Sequence, residues 1–174
     1  LLAGLVRDLP APRKMRWGEV DVPFVRPIAW LLARLGGQVL PVEVAGARAG
    51  GTTRGHRFLA PDEVEVPDAD AYLSVLRDAH VLADPDERRQ ATIGAIDHAA
   101  GAEGLTPVRD DALLGEVVDL IETPTAIVGR FDARYLALPD EVLATVMIHH
   151  QRFVPLRGGD GAIADRFVGV SNTE

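Results

Sequence analysis

Thr52-Thr53-Arg54-Gly55-His56-Arg57-Phe58 gathers two guanidinium groups, an imidazole and two hydroxyls into one short stretch. Arg54 and Arg57 are planar, permanently charged forks that suit a carboxylate or a phosphate. His56 adds the side-chain type that titrates near neutral pH. Gly50, Gly51 and Gly55 let backbone approach a partner closely or adopt φ > 0. Two readings follow. The stretch is a contact surface for an anion, or it is a folded loop whose arginines pair with nearby carboxylates such as Asp62 or Glu63. The 26 acidic residues against 18 basic ones tilt the balance toward pairing.

Other chemistries find little support. His149 and His150 are adjacent, so on a helix they point about 100° apart and chelate one ion poorly. No His-Glu-x-x-His or His-x-x-x-His pair is present, which predicts no metal site. One of the two histidines is expected to be exposed and the other packed. Gly46-Ala47-Arg48-Ala49-Gly50-Gly51-Thr52-Thr53 is superficially like a phosphate loop, but it lacks the lysine and the spacing. Neither Ser74 nor Ser171 sits in a nucleophile elbow. Asp68, Asp70, Asp110 and Asp111 read as helix caps, and the turn around Asp160 has too few oxygens for a calcium loop. No catalytic residue is therefore assigned.

The remaining basic elements are Arg13-Lys14-Met15-Arg16 beside Trp17, then Arg26, then Arg152 and Arg157. A guanidinium next to Trp17 suggests stacking, with Trp17 as a core plug the alternative. The net charge of -8 and pI near 5.1 exclude binding to nucleic acid through bulk charge, though not through a local patch. With Lys14 the only lysine, the arginine excess reads as a GC-rich coding bias. There is no cysteine, so disulfides and thiolate metal sites are excluded. No apolar run reaches the roughly 18 residues that span a bilayer. The chain starts at Leu1 without a basic leader and ends without a cap, so it reads as an internal fragment.

The elements that must position these residues follow from periodicity and punctuation. Leu1–Leu9 reads as a helix tail stopped by Pro10 and Pro12. Val22-Pro23-Phe24-Val25 is extended. Pro27 is expected to open a helix through Ile28, Leu31, Leu32 and Leu35, ended by Gly36-Gly37. Strands are expected over Gln38–Val44 and Val64–Val66. Asp68 caps a helix over Ala69–Ala79, and His80–Ala83 reads as a buried strand. Asp84 and Pro85 open a helix with Ile93, Ile96 and Ala100 inward. Asp110 or Asp111 caps another through Leu113, Val117, Leu120 and Ile121, broken by Pro124. Thr125–Phe131 is a strand, and Pro139 opens a helix to about His150. Arg152–Arg157 and Ala162–Val170 form a hairpin, with Pro155 marking its first strand as an edge. The whole is α+β, with helices packed on a mainly antiparallel or mixed sheet. One domain-sized unit over 1–174 is expected, with 1–12 a helix tail and 13–174 the core.

Several segments occur in an order and spacing that is specific as a set. They are Met15-Arg16-Trp17-Gly18, Phe24-Val25-Arg26-Pro27-Ile28-Ala29-Trp30, Thr52–Phe58, Gly129-Arg130-Phe131, Leu138–Leu143, His150-Gln151-Arg152 and Ser171-Asn172-Thr173-Glu174. Over essentially the whole chain this resembles the beta subunit of the bacterial two-subunit glycyl-tRNA synthetase. Ile148 and His149 depart from that pattern, where charged residues are common. The resemblance implies an α+β fold like the B3/B4 domain of the phenylalanyl-tRNA synthetase beta chain. It implies a cytoplasmic ligase that makes glycyl-tRNA from glycine, ATP and tRNA(Gly). The holoenzyme would use ATP and Mg2+, at a site on the alpha subunit, with no cofactor in this segment. The implied partners are that alpha subunit, tRNA(Gly) and the rest of the beta subunit, with no membrane. The implied tRNA contacts are Arg54, His56, Arg57, Arg16, Trp17, Arg26, Gln151 and Arg152. Glycine is the smallest amino acid, so a tight pocket rejects the others and leaves an editing fold without a task. Two alternatives stand beside tRNA contact: an editing-like hydrolase built on Thr52, Thr53 and His56, or a purely structural interface for the alpha subunit.

Overall fold

The computed structural model describes residues 1–173; Glu174, the last residue of the Ser171–Glu174 segment, lies outside them. Contacts group the chain into two compact units, Leu1–Ala79 and His80–Glu174. That division falls inside the 13–174 span expected to be one core. Helices and mainly antiparallel sheets make the chain α+β.

The first unit is built from short strands. Helix α1 (Leu2–Arg7) precedes a hairpin of β1 (Met15–Trp17) and β2 (Val20–Phe24). Strands β3 (Leu31–Leu32), β6 (Glu43–Val44) and β7 (Ala47–Gly50) form a mixed sheet in which β3 runs parallel to β7. Strands β4 (Arg34–Leu35) and β5 (Gln38–Val39) pair antiparallel, as do β8 (Thr52–Arg54) and β9 (Glu63–Glu65). Asp68 accepts from the Asp70 amide at 3.0 Å and opens a 3-10 turn that leads into α2 (Tyr72–Asp78). The buried apolar residues of this unit are Val44, Val66, Leu76 and Ala79. So thin a core leans on hydrogen bonds, and one of them is unexpected. Arg34 donates to the Gly37 and Pro67 carbonyls at 2.8 and 2.9 Å.

The helix expected from Pro27 through Leu35 is absent. Gly36-Gly37 is a two-residue hairpin turn, with Gly36 at φ +54°, joining Arg34↔Val39 and Leu35↔Gln38. A Gly-Gly pair serves as helix stop or hairpin turn equally well. Here pairing of Leu31 and Leu32 with Ala49 and Gly50 decides for strand. The expected strand over Gln38–Val44 survives only at its two ends, β5 and β6, and Pro41 falls between them.

The second unit places α3 (Pro85–Ala102) and α4 (Asp111–Leu120) against a four-stranded antiparallel sheet. Its order is β10 (Thr106–Pro107), β12 (Val154–Arg157), β13 (Ile163–Ser171) and β11 (Thr125–Arg130). Asp84 accepts from the Asp86 and Glu87 amides and Asp110 from that of Leu113, so both helices start where the caps predict. Ile96, Ala100, Leu113, Val117, Leu156 and Val168 form the buried heart. Burying such side chains contributes about 1.5–3 kcal/mol each for the larger ones.

Three local expectations change here. His80–Ala83 is not a strand: His80 takes φ +60°, and the Leu82 carbonyl accepts from Arg88 at 2.5 Å instead of from a ladder. Pro155 does not mark an edge, because β12 lies between β10 and β13. It sits at a register shift, where a missing amide costs no ladder bond. The last helix, α5 (Asp140–Thr145), widens into a π-turn over Val146–Gln151. The wider turn buries Met147 and Ile148 together and leaves both His149 and His150 exposed.

Candidate nucleic-acid interface

The Thr52–Phe58 stretch leaves β8 and bends onto the end of α2. Gly55 is there because nothing larger fits: a Cβ would lie 2.6 Å from the Ala79 Cβ and 2.7 Å from its carbonyl oxygen. The same approach lets the His56 amide donate to the Ala79 carbonyl at 2.8 Å. The imidazole of His56 is fully buried. Its Nδ1 accepts from the Phe58 and Leu59 amides, each at 3.2 Å, which closes the loop on itself. Thr53 is buried too, while Thr52 and Arg54 point outward, as alternation along a strand requires.

The loop so fastened presents its arginines. Arg54 pairs across the ladder with Glu63 at 3.5 Å, both side chains more than half exposed, a pairing worth about 0–1 kcal/mol. The Arg54 guanidinium also lies 5.6 Å from the ring centre of Trp30, which is half exposed. Arg57 sits 5.7 Å from the ring centre of Phe58, itself 70% exposed. The outcome is two arginine–aromatic pairs, Arg54 with Trp30 and Arg57 with Phe58, on either side of a buried histidine in the chain.

Trp30 was not among the residues singled out, and the guanidinium–indole contact expected at Trp17 falls on Trp30 instead. Trp17 is half-buried, paired with Val20 in the first hairpin. Arg16 meets Asp21 at 3.3 Å, with both exposed, and Arg26 is exposed between β2 and β3. The signal for Trp30 was its place in the segment Phe24–Trp30, masked by the helix expected there.

Gln151 and Arg152 belong to the second unit. Arg152 caps the π-turn in the left-handed conformation, φ +56°. It binds Glu116 at 2.6 Å, and that hydrogen bond, then the carboxylate's charge, raises its pKa further. Gln151 and Arg152 line an open hollow of about 420 Å³ with Phe153 and Phe167. Those rings stack at 4.3 Å, and Phe167 lies over Gly129, where any Cβ would strike it. Arg157 is a structural residue: it donates to Asp140 at 2.9 Å and to the Gly161 carbonyl at 2.5 Å, closing the hairpin turn. Among the described residues no group of three or more His, Cys, Asp or Glu is placed to hold a metal ion. No helix among the described residues is long and apolar enough to cross a membrane.

Fold and site together define an acidic α+β chain carrying a local arginine–aromatic surface. A family model described as "Glycyl-tRNA synthetase beta subunit" matches residues 1–174. Relatives named glycine–tRNA ligase beta subunit are 46% identical in Moorella thermoacetica, 45% in Halothermothrix orenii and 39% in Bacillus subtilis. These matches cover 99%, 98% and 98% of this chain, and 25% of each relative. The chain belongs to the glycyl-tRNA synthetase beta subunit family, and it spans about a quarter of the length of these relatives.

Proposed function

We propose that this chain works as part of a glycine–tRNA ligase, as a non-catalytic module that contacts tRNA and braces the assembly. The ligase would join glycine to tRNA(Gly), with ATP converted to AMP and diphosphate. In this reading adenylate formation, with its ATP and Mg2+, lies on the alpha subunit. No step through ATP or Mg2+ is assigned to the residues of this chain. The B3/B4-like relationship, the cytoplasmic setting and the partners (alpha subunit, tRNA(Gly), remaining beta subunit) belong to the same proposal.

The observation that carries the RNA contact is the exposed pairing of Arg54 with Trp30 and of Arg57 with Phe58. The Arg54–Glu63 ion pair there is exposed and weak, so phosphate can replace Glu63 at little cost. His56 serves this surface from inside by fixing the loop. An editing hydrolase on Thr52, Thr53 and His56 is disfavoured: Thr53 and His56 are buried, and two backbone amides occupy Nδ1. The bracing role is supported by a hollow of about 280 Å³ in the second unit. Exposed Tyr135, Leu138, Val142 and Val146 line it, an apolar patch of the kind that a partner covers. In the assembled ligase, Arg54→Ala and Arg57→Ala should raise the KM for tRNA and leave adenylate formation intact. Equal loss of both activities would count against the proposal.

A further inference from the structure

Trp30 does more than receive Arg54. It lines a hollow of about 460 Å³ in the first unit, as does Tyr72. Leu31, Leu32 and Val66 line it too, along with Thr53 and Arg34. Trp30 and Tyr72 are 50% and 38% exposed, costly for large rings unless something covers them. No carboxylate lines the hollow. Arg34 is held at its side by the Gly37 and Pro67 carbonyls, and Arg54 projects beside the indole. The volume falls within the range of small-ligand pockets, about 300–1,000 Å³.

We propose that this hollow seats one unpaired nucleobase of tRNA, stacked on Trp30, with Arg54 and Arg57 holding the adjoining phosphates. The inference rests on the tRNA-contacting role above and adds what that role does not contain, a seat for a base. Flat aromatic walls beside cationic forks are the chemistry that single-stranded nucleic acid requires: every base has a π-face, and its phosphate is anionic. A paired base inside a helix hides its faces, so the nucleotide bound here is a looped, bulged or terminal one. Tyr72 adds a second ring to the lining of the same hollow. A peptide partner would be better served by an apolar hollow without guanidinium groups, as in the second unit.

The test is tRNA(Gly) binding by the full-length subunit assembled with its partner subunit, measured over a salt series. Trp30→Leu should weaken binding by at least about fivefold, within the range for one stacked base, and Trp30→Phe should stay within about threefold of wild type. Neither should change the slope of log Kd against log salt, because no phosphate contact is lost. Arg54→Ala and Arg57→Ala should each lower that slope by about 1. If Trp30→Leu binds as wild type while the arginine variants weaken, the base seat is wrong and the phosphate surface survives. If Trp30→Phe is as poor as Trp30→Leu, or if subunit assembly is lost in place of tRNA affinity, the proposal is also overturned. Unchanged binding in the arginine variants would instead remove the phosphate contacts.

Discussion

Replacing His56 by alanine separates a contacting histidine from a bracing one. The imidazole is fully buried, and its Nδ1 accepts from two backbone amides at 3.2 Å. Alanine removes this one acceptor and both hydrogen bonds with it. At about 1 kcal/mol net for each hydrogen bond, the loop end loses about 2 kcal/mol, before any penalty for the space the ring vacates. Two kcal/mol is about a thirtyfold change in an opening equilibrium. Amide hydrogen exchange in the full-length protein, read on peptides spanning Phe58 and Leu59, should accelerate by about that factor. Exchange in α3 should not change. Affinity for tRNA should fall only as far as the loosened arginines require. Unchanged exchange at Phe58 and Leu59 together with a large loss of tRNA affinity would refute the bracing role and return His56 to the contact surface.

Two glycines should answer alanine with opposite signs in thermal unfolding. Gly55→Ala drives a methyl into Ala79 and Ala60 and should cost about 1–3 kcal/mol. Gly94→Ala, exposed in mid-α3 with open space around its would-be Cβ, should stabilise by about 0.5–1 kcal/mol. Asn172 accepts from the Glu122 and Thr123 amides at 2.6 and 3.1 Å, so Asn172→Ala should cost about 2 kcal/mol. Hydrogen exchange over residues 121–124 should then rise at least about tenfold.

Where local chemistry determines local structure, the sequence was sufficient. Asp84-Pro85 opened α3 as read, and of the two caps offered for α4, Asp110 or Asp111, the structure uses Asp110, since a carboxylate placed to accept the first amides works without help from the rest of the fold. The hairpin around Gly158–Gly161 was likewise legible. What failed depended on pairing across distance. Pro27–Leu35 has good helical spacing, but β3 and β4 form because β7 and β5 lie alongside, which no local pattern records. Pro155 was assigned to an edge because proline lacks an amide. A register shift in an interior strand absorbs the same deficit. The pairing of Arg54 with Glu63 was expected and is seen. His56, by contrast, attracted attention for its chemistry, and burial reassigned it to structure. The failed helix also hid Trp30, whose contact with Arg54 joins segments 24 positions apart.

The most direct measurement of the central claim is the affinity of the assembled ligase for tRNA(Gly) with Arg54 and Arg57 both changed to alanine, taken across a salt series. Loss of two phosphate contacts should weaken binding and lower the slope of log Kd against log salt by about 2, with ATP-dependent adenylate formation unchanged. An unaltered slope with unaltered affinity would contradict the account.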